Sequence, residues 1–278
     1  MTEERREVAQ EFVAALIALR EHAAAVANLV HYDARDARQR YLLSYFCTAI
    51  ELAGAAIVLA RSAETIGLPI LARSALEALV DFRCLMLDPS YVEFIEAAHD
   101  AEWAKLINEA IDTPGAYLGE LAAHASVNEE RERIAHREAH REAIGIRTLT
   151  VRNKFRRAGM EGLYHSVYNF FCSETHNNAR ALINRHFKED SAGVLRLTIY
   201  GDDVATVEPG LSQVHDALSA MTEGICQTFG IAEPDRTAVD KAWTAAKRLV
   251  AIDCAAPISQ STGRTDDGTP TVLPADKR

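Results

Sequence analysis

A chain of 278 residues with 48% hydrophobic content is long enough to bury a substantial core, as one large domain or two small ones. Forty acidic against 30 basic side chains leave a net charge of −10, which excludes a surface coated for non-specific nucleic-acid binding but still allows a local basic patch. Five cysteines, Cys47, Cys84, Cys172, Cys226 and Cys254, are scattered without a Cys-x-x-Cys pair, so neither a disulfide framework nor a zinc knuckle is indicated and a reducing cytoplasm fits best.

The opening "MTEERREVAQ" is charged and lacks the apolar run of a signal peptide. Ala, Leu, Glu and Arg dominate the first 190 residues, and Gly and Pro fall mostly where helices should begin or end. Helices are therefore expected at about 3–31 and 36–65. The second contains "YLLSYFCTAIELAGAAIVLA" (41–60), which has the length of a membrane span. Glu51 at its middle, with Ser44, Thr48, Gly54 and many alanines, makes it a buried central helix instead, and no membrane association is expected.

Gly67 and Pro69 open a third helix to about Leu87, Asp88-Pro89 a fourth to about Ile111, and Thr113-Pro114 a short fifth. Ser126-Val-Asn-Glu129 matches a capping box and begins "NEERERIAHREAHREAI", a charged helical insertion at about 126–144 with little apolar face, expected to project into solvent or pack loosely. Further helices are expected at about 148–157 and 163–187. Then "VLRLTIYGDDVATV" (194–207) alternates apolar and polar residues around Gly201-Asp202-Asp203, which predicts a β-hairpin attached to the helices. Helices at about 211–229 and 235–253 follow. The expected architecture is mainly α: a multi-helix bundle in a single domain over 1–254, one small hairpin at about 194–207, and a disordered tail over 255–278.

One apolar segment carries an unexpected set of charges. In "RSALEALVD", Arg73, Glu77 and Asp81 are four residues apart and stack on one helical face, with Leu76, Leu79 and Val80 over much of the rest. If Glu51 faces the same way, the planar fork of Arg73 sits between carboxylates. A second cluster lies in "YHSVYNFFCSETHNNAR" (164–180). On a continuous helix Ser173, His176 and Arg180 fall within about one-sixth of a turn of each other, with Asn169 near and Tyr164 and Tyr168 on the neighbouring arc. A histidine beside a serine and an arginine can serve as general acid or base, although a lone helical histidine is more often a packing or surface residue.

Together, "RSALEALVDFRCLMLDP" and "YHSVYNFFCSETH" resemble the bacterial domain-of-unknown-function family 5677, over about residues 35–210. The resemblance implies an all-helical bundle and carries over Arg73, Glu77, Tyr168, Ser173 and His176 as the family's polar signature. It brings no established reaction.

A helical bundle with Arg and His also resembles the HEPN ribonucleases, which use Arg-x4-6-His. Arg131 with His136, Arg133 with His140, and Arg180 with His186 fit that spacing, but chance alone supplies roughly as many pairs. Between Ile144 and Met160, Arg147, Arg152, Lys154, Arg156 and Arg157 occur with no acid, a stretch that could attract RNA or another phosphate-containing ligand. The charged helix 126–144 is the expected contact for a protein partner, and a homo-oligomer is allowed.

Metal chemistry has less support. Glu96 and His99 form one Glu-x-x-His, but the di-iron pattern needs a second. His136 and His140 lack a third zinc ligand. No metal and no cofactor is expected, since phosphate-cradling, nucleophile-elbow and dinucleotide motifs do not occur. The leading expectation is one polar pocket between the two helices. His176, Arg73, Glu77 and Ser173 would do the chemistry there, and Tyr168, Arg180 and Asp81 would bind ligand. The competing expectation is a non-catalytic interaction protein in which the same network is structural.

Overall fold

A computed structural model describes residues 3–62, 65–113, 118–176, 178–190, 192–198, 207–232 and 234–255. In chain order the helices are α1 (Glu3–Ala27), α2 (Ala37–Arg61), α3 (Leu68–Leu87), α4 (Val92–Asp112), α5 (Gly119–Ala123), α6 (Val127–Ala143) and α7 (Val151–Arg157). Next, α8 (Glu161–Leu163) runs through a π turn (Tyr164–Tyr168) into α9 (Asn169–Thr175), followed by α10 (Ala179–His186). A two-stranded antiparallel ribbon, β1 (Phe187–Glu189) with β2 (Leu195–Leu197), precedes α11 (Val207–Phe229) and α12 (Thr237–Ala255).

Local chemistry explains several boundaries. Asp36 caps α2 by accepting from the Gln39 backbone N–H at 3.1 Å, and Thr150 and Asn178 cap α7 and α10 in the same way. Pro69 lies in the first turn of α3, where its missing N–H costs nothing. Ser126 does precede α6, but its hydroxyl meets His124 Nδ1 at 2.9 Å rather than closing a capping box.

Helices α1, α2, α3 and α11 enclose the main core, with Leu16, Leu19, Leu42, Phe46, Leu76, Leu211, Val214 and Leu218 fully buried. Of the described helices, α2 is long and apolar enough to cross a membrane. Its Leu42, Phe46, Ala49, Ala53, Ala56 and Ile57 face the bundle, while Ser44, Cys47, Thr48 and Glu51 are exposed. That division is amphipathic and suits a core helix.

Two glycines let α11 approach α3 closely. A Cβ at Gly210 would stand 3.1 Å from Leu68 Cβ, and one at Gly224 would stand 2.6 Å from the ring of Phe82. Phe82 is buried and cannot swing aside, so overpacking outweighs the gain in helix propensity. Gly224→Ala should lower unfolding stability by about 1–2 kcal/mol in urea titration.

Helix α11 also buries His215, whose ring stacks on Trp243 of α12 at 3.6 Å between centroids. Asp216 Oδ1 lies 3.5 Å from Nδ1, and Arg236 and Lys247 add positive charge nearby. Burial pushes the imidazole below its ordinary value of 6.5, outweighing the help from Asp216. Below 6.5 the unfolded chain therefore binds the proton more readily than the folded one. Stability from this group is complete above 6.5 and is lost as pH falls toward the lowered folded value, with a slope up to about 1.4 kcal/mol per pH unit. Denaturation of His215→Phe across that range should show a shallower pH dependence than the parent.

Three expectations shift. The hairpin is present, but its strands are 187–189 and 195–197, with Phe187 opposite Leu197, Lys188 opposite Arg196, and Glu189 opposite Leu195. Its tight end is built on Asp190, whose carboxylate accepts from the N–H groups of Ala192 and Val194, with Gly193 at φ +77°. The expected turn at Gly201-Asp202-Asp203 lies outside the described residues, as does the tail beyond Ala255. Secondly, the helix expected at 163–187 breaks at His176, and Asn178 starts a new one. Thirdly, α6 does not project into solvent. It packs on α4 through a small core of Ile107, Val127 and Ile134 and through a buried charge cluster.

Candidate functional site

Arg73, Glu77 and Asp81 of α3 find two environments: the first two share one cluster, and Asp81 lies in another contact. Arg73 makes the richest set. Its Nε donates to Glu77 Oε1 at 3.0 Å, Nη1 donates to Thr175 Oγ1 at 3.2 Å and to His176 Nε2 at 2.8 Å, and Nη2 donates to Tyr168 OH at 3.2 Å. Tyr168 OH in turn donates to Glu77 Oε1 at 2.8 Å. One planar fork thus ties α3 to α9, using the directional donors that lysine lacks. The guanidinium also lies 5.4 Å from the Tyr168 ring centroid.

The cluster sits at the protein surface. The Arg73 and Glu77 side chains are 25% and 39% exposed, and His176 is open to solvent. Burial opposes the Arg73 charge, but the Glu77 carboxylate outweighs it and holds the guanidinium above its ordinary value. Burial and then Glu77 push the Tyr168 phenol up, so it remains a protonated donor. Because arginine only donates, the Arg73 contact requires a lone pair on His176 Nε2 and places the ring hydrogen on Nδ1.

Backbone irregularity sets this geometry. The π turn brings Tyr164 and Tyr168 into a stack at 5.5 Å, with Phe155 of α7 against both rings. Tyr168 is buried by that packing, and only its hydroxyl end reaches the polar cluster. At the other end, His176 leaves the helix with φ −97° and ψ 24° at the C-cap of α9, which lets its ring reach Arg73 across the helix end.

Of the expected site residues, Arg73, Glu77, Tyr168 and His176 come together. Ser173 does not join them: its hydroxyl donates to the Phe170 carbonyl of its own helix at 2.8 Å. Arg180 belongs to α10 beyond the break, so the arc drawn along one continuous helix does not apply to it. Asp81 serves a separate contact, accepting from Tyr91 OH at 2.6 Å and from Lys154 Nζ at 3.0 Å. Glu51 is exposed on α2, where it lines a groove with Arg20, Gly54 and Arg61, and does not flank Arg73.

Two participants escaped the sequence reading, Thr175 and Cys172. The Cys172 side chain lies beside the Tyr168 hydroxyl and near Arg73. Their signal is the i, i+4, i+7, i+8 spacing of Tyr168, Cys172, Thr175 and His176, which is one helical face.

The basic stretch before this site is largely paired. Arg147 meets Glu142, Arg152 meets Glu161, Lys154 meets Asp81 and Arg157 meets Asp88, while Arg156 reaches the Asn153 amide oxygen at 2.9 Å. Arg157 also lies 4.5 Å from the Phe94 ring centroid, so it anchors α7. Among the described residues no three His, Cys, Asp or Glu side chains are grouped as metal ligands.

A model of the family of unknown function DUF5677 matches residues 39–194. The chain belongs to this family. The DUF5677 region contains both walls of the Arg73 cluster and the whole of α6, while α1, α11 and α12, which complete the main core, lie outside it. No curated protein and no solved structure matches the chain.

Proposed function

We propose that the Arg73 cluster binds a phosphate-containing ligand in the cytoplasm, and that RNA is its substrate in a metal-independent, HEPN-like cleavage. The observation that carries this reading is the 2.8 Å contact between Arg73 Nη1 and His176 Nε2 at a solvent-open edge. A phosphate oxygen is a better acceptor for guanidinium than a neutral imidazole, because the bond is assisted by charge on both sides. An entering phosphate therefore displaces His176 from Arg73. The freed Nε2 lone pair then faces the bound ligand.

In that arrangement His176 takes the proton of an RNA 2′-hydroxyl as its oxygen attacks the neighbouring phosphorus, and the 5′-oxygen leaves with a proton from solvent water, giving a 2′,3′-cyclic phosphate and a 5′-hydroxyl. Arg73 stabilises the charge that builds on the phosphoryl oxygens. Glu77 and Tyr168 hold the fork in orientation through Nε and Nη2. Arg156, exposed on α7 and bonded to an amide rather than to a carboxylate, offers the basic stretch's remaining contact to the RNA backbone. Incubating purified protein with single-stranded RNA, with and without His176→Ala, tests this reading.

The second reading is a non-catalytic interaction protein in which the network fastens α9 to α3. It is favoured by one observation: Nε, Nη1 and Nη2 of Arg73 each already have a protein acceptor. The two readings differ in what Arg73→Ala removes, ligand affinity in the first and attachment of α9 in the second.

A further inference from the structure

Helix α3 is buried on most sides, and over its first three turns it opens to solvent chiefly along one strip that holds Ile70, Arg73, Ser74 and Glu77. By helical geometry the four share an arc of about 100°, and Ile70 stands one turn before Arg73, about 5–6 Å from it between Cβ atoms. Ile70 is 53% exposed. Ile66, four residues earlier, is 54% exposed, and Gly67 keeps helical dihedrals (φ −80°, ψ −16°) that leave it on the same side. One exposed isoleucine is ordinary, but these two prolong the strip that carries the charge cluster.

The course of α9 shows which end of the strip meets a ligand. Tyr168 bonds to both Glu77 and Arg73, whereas Thr175 and His176 bond to Arg73 alone. Helix α9 therefore runs toward the N-terminal end of α3 and stops there, at its C-cap His176. A phosphate that replaces His176 on Arg73 Nη1 has Ile70 as its next neighbour along α3. One helical turn is also about the reach from a phosphate across a ribose to its base.

An aliphatic shelf beside a guanidinium suits one class of phosphate ligand. Inorganic phosphate has nothing to lay on it. A nucleotide has a flat apolar face, and that face is free only in a strand whose bases are unpaired and unstacked. Isoleucine has no side-chain donor or acceptor, so the contact senses that a base is present and not which base it is.

We infer that Ile66 and Ile70 seat the base of the nucleotide whose phosphate Arg73 holds, so that the site takes single-stranded and not duplex RNA, with little sequence preference. The inference rests on the phosphate reading of the Arg73 cluster. A 2′-O-methyl oligouridine lacks the attacking hydroxyl and stays intact. In fluorescence anisotropy the full chain should bind it about fivefold more tightly than an abasic strand with the same phosphates. In Ile66→Ser/Ile70→Ser that preference should vanish, while affinity for the abasic strand and for a duplex stays at the parent's. Arg73→Ala should weaken binding of both single strands. A parent that binds neither strand, or an Arg73→Ala variant that binds as tightly, defeats the phosphate reading itself. Three results would overturn the base seat alone: a parent that binds both strands equally, an Ile66→Ser/Ile70→Ser variant that keeps the preference, and one that loses affinity for the duplex as well.

Discussion

Asp100→Ala should be the most destabilising single substitution in the α4–α6 layer, costing about 3–5 kcal/mol. Asp100 is 4% exposed and accepts from Arg137 Nε at 2.9 Å, from Arg137 Nη2 at 2.8 Å and from Arg141 Nη1. Arg141 is itself 6% exposed. Glu93 and Glu96 remain beside Arg141 at 3.3 and 3.2 Å, but both are partly solvated and each offers a single contact. Removing Asp100 therefore leaves a buried guanidinium short of its closest acceptor. The Ile107, Val127 and Ile134 core is too small to hold α6 by itself.

The expected signature is fast hydrogen exchange over 127–143 together with a lowered denaturation midpoint. Asp100→Ala/Arg141→Ala should lose less than the sum of the two single changes, because it removes the stranded charge along with its partner. Hydrogen bonds from Arg137, more than those from Arg141, hold the Asp100 carboxyl below the ordinary carboxylate range despite its burial. Its contribution is complete above the unfolded carboxylate value and is lost as pH falls through the lower folded value. An Asp100→Ala protein as stable as the parent would show that α6 is held by something other than these charges.

This layer was the least legible part of the sequence. "NEERERIAHREAHREAI" has so little apolar face that periodicity predicts a solvated helix. Its real partner face adds to Val127 and Ile134 two arginines one turn apart, Arg137 and Arg141, which meet Glu93, Glu96 and Asp100 on α4. Each of those helices looks merely charged when read alone. Buried ion pairs between distant segments leave no hydrophobic period, so complementarity appears only once the helices are brought together.

The main bundle was legible for the opposite reason. Leu42, Phe46, Ala49 and Ala53 on α2, and Leu76, Leu79 and Val80 on α3, are spaced as one buried side of a helix requires. Caps such as Asp36 and the proline after Asp88 marked helix ends within a few residues. In the candidate site, Arg73 and Glu77 stood out because charge in an apolar helix demands a partner. Ser173 and Arg180 were drawn in by a helix assumed continuous, and a π turn plus a break at His176 invalidate that assumption. Neither irregularity has a glycine or proline to announce it.

His176→Ala should abolish RNA cleavage, by about 10²–10⁴-fold, while moving the thermal midpoint by no more than about 2–4 °C. The asymmetry follows from geometry. His176 is exposed and contributes one acceptor to Arg73, which keeps Glu77, Thr175 and Tyr168. Arg73→Ala should also abolish cleavage, but at a cost of only about 1 kcal/mol in stability. Glu77, 39% exposed, is left as a solvated carboxylate rather than a stranded buried charge, unlike the Arg141 left behind by Asp100→Ala. Arg73→Lys distinguishes a fork from a point charge. Lysine cannot span Glu77, Tyr168 and the ligand together, so affinity for RNA should fall nearly as far as in the alanine variant. If Arg73→Ala instead unfolds the protein, or if the parent chain leaves RNA uncut, the catalytic reading is lost and the cluster is a fastening between α3 and α9.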